Sequence, residues 1–169
     1  MKVYIVKAEQ NTKHLSPMLF PIVFEKETGR HVRYEDLVRD ELGKPQPIDG
    51  VHFNISHSGD YWCIVFSDSE CGIDIENNRK LDKYMERKIL YPGEEIMDGN
   101  LIRNWVLKEA YAKKIGVGIG IGSGVATFNP EEIRKECVIS NLCTDNYICY
   151  AVGNEPVTEV AIFDIDRLR

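Results

Sequence analysis

Cys71-Gly72-Ile73-Asp74-Ile75-Glu76, met further along by Trp105-Val106-Leu107-Lys108-Glu109-Ala110-Tyr111-Ala112-Lys113, sets an alternating β-branched run against a helix-forming one. Side chains alternate faces along a strand, so Asp74 and Glu76 share one face. Residues four apart on a helix are neighbours, so Glu109 and Lys113 share a face too. A strand with two carboxylates, facing a helix with a third beside an amine, suits a divalent cation and a phosphate-bearing ligand. Hard oxygens would take the ion, and the ammonium would take the phosphate. Strand against helix also points to an α+β fold.

Working outward, residues 2 to 7 alternate as a strand and Phe20 to Phe24 read as a second. Tyr34 to Leu42 reads as a short helix ended by Gly43. After the Pro/Gly-rich loop from Gly43 to Gly50, Val51 to Ser56 reads as a strand leading into a turn at His57-Ser58-Gly59-Asp60. Tyr61 to Phe66 and Cys71 to Glu76 follow as strands, which together predict an antiparallel meander. Helices are expected over 81 to 91 and 100 to 115, separated by Pro92-Gly93 and closed by Gly116. Strands recur near Cys137 to Ile139, Tyr147 to Val152 and Glu159 to Ile165. No internal sequence repeat is evident.

A chain of 169 residues that is 43% hydrophobic can bury a core, as one domain or two small halves. No apolar stretch reaches the roughly 18 residues of a membrane span, and the start Met1-Lys2-Val3-Tyr4 is charged too early for a signal peptide. The expectation is a cytoplasmic protein without membrane contact. Five cysteines, Cys63, Cys71, Cys137, Cys143 and Cys149, form no CxxC pair and read as reduced thiols. The net charge of -6 argues against a nucleic-acid binder. Against that background, Arg79, Lys80, Lys83, Arg87 and Lys88 crowd one segment directly after the carboxylate strand. Such a run is either a solvated helix face or a docking surface for an acidic partner.

Glycine at every other position from Gly116 to Gly124 suggests a phosphate loop, but the dinucleotide fingerprint places its glycines between a strand and a following helix. Here they follow a helix, so close backbone packing beside the site is the better reading. The segments Phe53-Asn54-Ile55-Ser56-His57-Ser58-Gly59, Gly72 to Glu76 and Trp105 to Lys113, with Gly43-Lys44-Pro45 upstream, occur in order over roughly residues 33 to 128. Together they resemble the 4′-phosphopantetheinyl transferases of the surfactin-synthetase-activating (Sfp) type.

The resemblance implies two similar α+β halves packed as a single-chain pseudo-dimer, here about 1–70 and 71–169, acting as a monomer. It implies a holo-[acyl-carrier-protein] synthase that moves the phosphopantetheine arm of coenzyme A to a serine of an apo acyl or peptidyl carrier protein, releasing 3′,5′-adenosine bisphosphate. Carried over by residue, Asp74, Glu76 and Glu109 are the Mg²⁺ ligands, and Glu109 is also the general base towards the serine. Lys113 contacts phosphate, Ser56 and His57 hold the nucleotide 3′-phosphate, and Lys44 lies near the same ligand. Lys108 occupies a motif lysine position and counts as a coenzyme A contact, although helical spacing turns it from the Glu109 and Lys113 face. Trp105 and Tyr111 read as packing residues.

The sequence departs from the family before the Gly43-Lys44-Pro45 loop, where the usual first half is longer. The basic residues that reinforce the coenzyme A phosphates have no clear counterpart, and Lys26, Arg30 and Arg33 are the expected substitutes. The resemblance also places part of the carrier contact on the segment from Arg79 to Lys88. The alternative is a degenerate relative that binds coenzyme A or carrier protein without efficient catalysis.

Overall fold

The computed structural model describes residues 1–9, 11–117 and 124–167. Its strands are β1 (Lys2–Lys7), β2 (His52–Ser58), β3 (Tyr61–Ser67), β4 (Gly72–Asn77), β5 (Val138–Asn141), β6 (Tyr147–Gly153) and β7 (Glu159–Asp164). Its α-helices are α1 (Ser16–Thr28), α2 (Glu86–Ile89), α3 (Leu101–Ile115) and α4 (Pro130–Glu136). The strands form two sheets, ordered β2-β3-β1-β7 and β4-β6-β5.

Alternation along the strands builds four layers. Val3, Ile5, Cys63 and Val65 turn one way and pack against Ile73, Ile75, Cys149 and Ala151, which fills the space between the sheets. Tyr4, Val6, Trp62, Ile64 and Phe66 turn the other way onto Leu19, Phe20, Val23 and Phe24 of α1. On the far side, Ile148, Tyr150 and Val152 meet Ile102, Val106, Leu107 and Ala110 of α3. Strand β3 is buried along its whole length because both of its faces are covered.

The order of connection repeats. Strand β1, helix α1 and the hairpin β2–β3 are followed by β4, α3 and the hairpin β5–β6. In each case the second hairpin strand pairs antiparallel with the opening strand. Strand β7 then returns to the first sheet, parallel to β1. The repeat lies in the connectivity, where a sequence comparison of the halves does not reach.

Several expectations are corrected. The meander is broken: β2 and β3 form a hairpin, but β4 leaves for the second sheet and pairs with β6. Strand β2 runs on through His57 and Ser58, so the turn shrinks to Gly59 and Asp60. Phe20 to Phe24 belongs to α1, where Leu19, Phe20, Val23 and Phe24 recur at helical spacing and all face the core.

The proposed helix from Tyr34 to Leu42 is one tight turn, Tyr34–Asp36, followed by extended chain. The Asp40 carboxylate accepts from the backbone N–H groups of Leu42 and Lys44, 2.9 and 2.8 Å away, and holds a loop in place of a helix. The helix expected over 81 to 91 is only the short turn Lys83–Met85 and α2. Leu90 is already extended, and Pro92 disfavours helical backbone at Tyr91 directly after it.

Helix α3 runs as expected. Asn100 caps its start, accepting from the Ile102 N–H at 3.4 Å, and Gly116 closes it at φ 72°. Of the alternating glycines, positions 118 to 123 lie outside the described residues. The cysteines are free thiols, with Cys63, Cys71 and Cys149 buried. Among the described residues no helix is long and apolar enough to cross a membrane.

Candidate active site

The two sheets meet where β2 runs beside β4. The inner face of β2 is polar at every second residue, and each of these side chains reaches across to β4. Asn54 Oδ1 accepts from the Ile73 N–H at 3.0 Å, Ser56 Oγ donates to Asp74 Oδ1 at 2.7 Å, and Ser58 Oγ donates to Glu76 Oε2 at 2.7 Å. Period-two alternation therefore aligns the two serine hydroxyls with the two carboxylates. Helix α3 lies directly over β4. Its approach depends on Gly72, where an added Cβ would sit 2.0 Å from the Ala110 carbonyl oxygen.

Lys113 crosses to the same carboxylate. Its Nζ donates to Asp74 Oδ1 at 2.7 Å and to Ser56 Oγ at 2.8 Å. Burial opposes its charge, but the Asp74 carboxylate outweighs that and keeps Lys113 protonated above its ordinary range. Glu109 is pushed up to about 7, first by burial and then by the charges of Asp74 and Glu76, with Lys113 opposing. Glu76 is also raised, mainly by burial. Carboxylates that raise one another in this way share a small space.

Asp74, Glu76 and Glu109 line one cleft together with Ser56, Trp105 and Lys113. Among the described residues, no three His, Cys, Asp or Glu side chains stand close enough to form a metal cage as placed. The donor chemistry of the cleft nevertheless fits Mg²⁺, with carboxylate oxygens whose mutual repulsion a divalent cation would relieve.

A second pocket opens beside the cleft and shares Ile55, His57 and Lys113 with it. Its lining carries no carboxylate and gathers the basic side chains Lys13, Arg39, Lys44, His57 and Lys113. Lys44 Nζ donates to the Lys114 carbonyl at 2.6 Å, tying the Gly43-Lys44-Pro45 loop to the end of α3. His57 titrates below the usual imidazole range because of partial burial and the nearby Lys113 and Lys13 ammonium groups. Tyr34 also lines the pocket, with the Arg39 guanidinium 5.0 Å from its ring centre.

The structure thus brings Lys44, Ser56, His57, Asp74, Glu76, Glu109 and Lys113 together. Lys108 is not among them. It is fully buried on another face of α3, where Nζ donates to the Ile89 carbonyl at 2.7 Å and pairs with Glu94. Its assignment as a coenzyme A contact is corrected on that ground. The proposed substitutes also lie elsewhere. Arg30 pairs with Asp49, Arg33 with Asp36, and Lys26 lies over the Phe163 ring. The basic side chains that line the pocket from outside α3 and β2 are Lys13, Arg39 and Lys44. Sequence spacing holds no signal for Lys13 and Arg39, since the first sits in the short turn Thr12–His14 before α1 and the second in the segment bridged to Pro45, which only the fold brings beside α3. Trp105 is half-buried and lines the carboxylate cleft as well as packing.

Comparison with known proteins finds phosphopantetheinyl transferases among the relatives of this chain. The chain is 33% identical over 92 residues to a 4′-phosphopantetheinyl transferase of Aneurinibacillus migulanus, covering 49% of this chain and 39% of that one. These relatives are phosphopantetheinyl transferases. A second, from Bacillus pumilus, is 29% identical over 124 residues, covering 61% of this chain and 53% of the relative. A phosphopantetheinyl transferase of a Thraustochytrium species is 32% identical over 124 residues, covering 57% and 43%. This chain therefore spans about half the length of the phosphopantetheinyl transferases it matches, or less. No family model matches the chain.

Proposed function

We propose that this chain transfers the 4′-phosphopantetheine arm of coenzyme A to a serine hydroxyl of an apo acyl or peptidyl carrier protein, and releases 3′,5′-adenosine bisphosphate. The observation that carries this reading is the joining of the carboxylate cleft to the basic pocket through Lys113 and His57. A pyrophosphate can lie across that junction, its nucleotide phosphates among Lys13, Arg39, Lys44 and His57 and its reacting phosphorus beside Glu109.

In the reaction a new bond forms between the serine oxygen and the phosphorus bearing the pantetheine arm, while the bond from that phosphorus to the bridging oxygen breaks. Glu109, titrating near neutral pH, takes the serine proton directly or through a water. Lys113 stabilises charge on the phosphates. Asp74, Glu76 and Glu109 would hold Mg²⁺, which when bound would neutralise charge on the pyrophosphate. The two β-α-β-β units are read as the halves of a pseudo-dimer within one chain, acting as a monomer.

The test is to mix the protein with coenzyme A, Mg²⁺ and an apo carrier protein and look by mass for the added arm. Transfer that requires metal supports the reading. Coenzyme A binding without transfer would replace it with that of a degenerate relative.

Two predictions follow from the surface chemistry. Lys13→Ala/Arg39→Ala is expected to weaken coenzyme A binding by about tenfold or more, because each lost charge-assisted hydrogen bond is worth roughly 1.5–3 kcal/mol. Lys26→Ala/Arg30→Ala should leave it unchanged, and calorimetric titration that finds the two pairs equal rejects the assignment. The second concerns Arg79, Lys80, Lys83, Arg87 and Lys88, which are all exposed and form no ion pair among the described residues. Neutralising them should raise KM for an acidic carrier on the order of tenfold, with coenzyme A affinity intact. A carrier KM that does not move sinks this docking surface.

A further inference from the structure

Lys108 and Asn104 lie four apart on one face of α3, and both side chains are fully buried. Between them they hold the chain that follows the basic segment. Lys108 Nζ donates to the Ile89 carbonyl at 2.7 Å and pairs with Glu94. Asn104 Nδ2 donates to Glu94 Oε1 at 2.7 Å and to the Glu95 carbonyl at 3.0 Å, while its Oδ1 accepts from the Met97 N–H at 3.0 Å. The Tyr91 N–H closes the set by donating to Glu94 Oε2 at 2.7 Å. Ile89, Glu94, Glu95 and Met97 are thus fixed to two side chains of α3.

A buried ammonium–carboxylate pair is a weak source of stability, because desolvation offsets most of its attraction and an apolar pair of similar volume often does as well. What such a pair does supply is direction. Each bond here fixes the 89–97 backbone at a set height along α3, one residue from Glu109. Immediately before that backbone come the exposed cations Arg79 to Lys88. The same segment adds an apolar contact, with Leu81, Met85 and Leu90 packed around Ile89, Leu101 and Trp105.

We propose that Lys108 is a positioning residue, which locks the basic arm of residues 79–98 onto the helix that carries Glu109 and so sets how a carrier protein presents its serine to that base. The carrier clause rests on the function proposed above; the locking does not. A rigid arm makes docking and chemistry one geometric event, and a displacement of about 1 Å can cost on the order of a hundredfold in rate.

The test compares Lys108→Met with the double variant Lys108→Met/Glu94→Leu. Trypsin cleavage within the 79–88 stretch reports arm opening independently of activity, since Lys108 itself is buried. Cleavage should rise about tenfold or more in both variants. With wild-type transfer established, kcat/KM for carrier should fall at least tenfold in both, while the coenzyme A dissociation constant stays put. The double variant should regain part of the melting temperature lost in Lys108→Met, because no buried charge is left unpaired although the Tyr91 N–H and Asn104 Nδ2 lose an acceptor, yet keep the carrier defect. Wild-type cleavage in Lys108→Met overturns the lock. Carrier kinetics that recover together with the melting temperature reduce Lys108 to a support residue. A wild-type protein that transfers no arm removes the carrier clause, and the cleavage comparison still decides the lock.

Discussion

Glu109→Gln is expected to lower the rate of arm transfer by roughly 10²- to 10⁴-fold while coenzyme A still binds, the range over which a positioned general base contributes. Gln keeps the volume and can still accept a hydrogen bond, but it cannot take a proton. Burial, Asp74 and Glu76 together push Glu109 up to about 7 where no cation neutralises the cleft, and its place in that cleft beside Lys113 is what the proposed base role rests on. Glu109 makes no direct hydrogen bond to Asp74 or Lys113, so its loss leaves the Lys113 to Asp74 contact in place. Single-turnover transfer measured by mass, alongside calorimetric binding of coenzyme A, checks the claim. Near-normal transfer in the variant would move the base elsewhere. A matching loss of coenzyme A affinity would make Glu109 a ligand-binding group only.

Much of this site was legible because its residues lie in short periodic segments. Alternation alone put Asp74 and Glu76 on one face, and spacing of four put Glu109 with Lys113. The same logic turned Lys108 away, and the structure sides with the spacing over the motif. What spacing cannot supply is partnership between distant segments. Nothing in Gly72 to Glu76 says that these residues pair with Tyr147 to Val152 and leave the neighbouring hairpin, so the meander was the local reading and the wrong one.

Helix α1 is hidden in its sequence for a related reason. A five-residue apolar window with β-branched and aromatic members looks like a strand, and only the wider window with Pro17 near its start and Gly29 at its end, φ 72°, shows a helix. Helix α4, absent from the expected elements, does carry a start signal in Asn129-Pro130-Glu131-Glu132, with Asn129 Oδ1 accepting from the Glu131 N–H at 3.0 Å. Lys13 and Arg39 had no such signal. Their meeting in one pocket depends on the Asp40 loop and on the hairpin beside α1, contacts that only a folded chain makes.

The junction of β4 and α3 carries the other large effect. Gly72→Ala should destabilise the protein by about 3 kcal/mol or more, on the order of 10 °C in melting temperature for a chain of this size. The new Cβ would lie 2.0 Å from the Ala110 carbonyl oxygen and 2.5 Å from the Lys114 backbone nitrogen. Both neighbours are backbone, so no rotamer change relieves the clash and α3 itself has to lift from the strand. That lift acts on function twice over. It separates Glu109 and Lys113, on the helix, from Asp74 and Glu76, on the strand, and it breaks the 2.7 Å bond from Lys113 to Asp74. The folded fraction of the variant should therefore lose transfer well beyond what its stability explains. Thermal denaturation and transfer assays at a temperature where the variant stays folded separate the two effects. A variant with wild-type melting and wild-type transfer would show that α3 does not pack on Gly72 as described, and would take the site geometry with it.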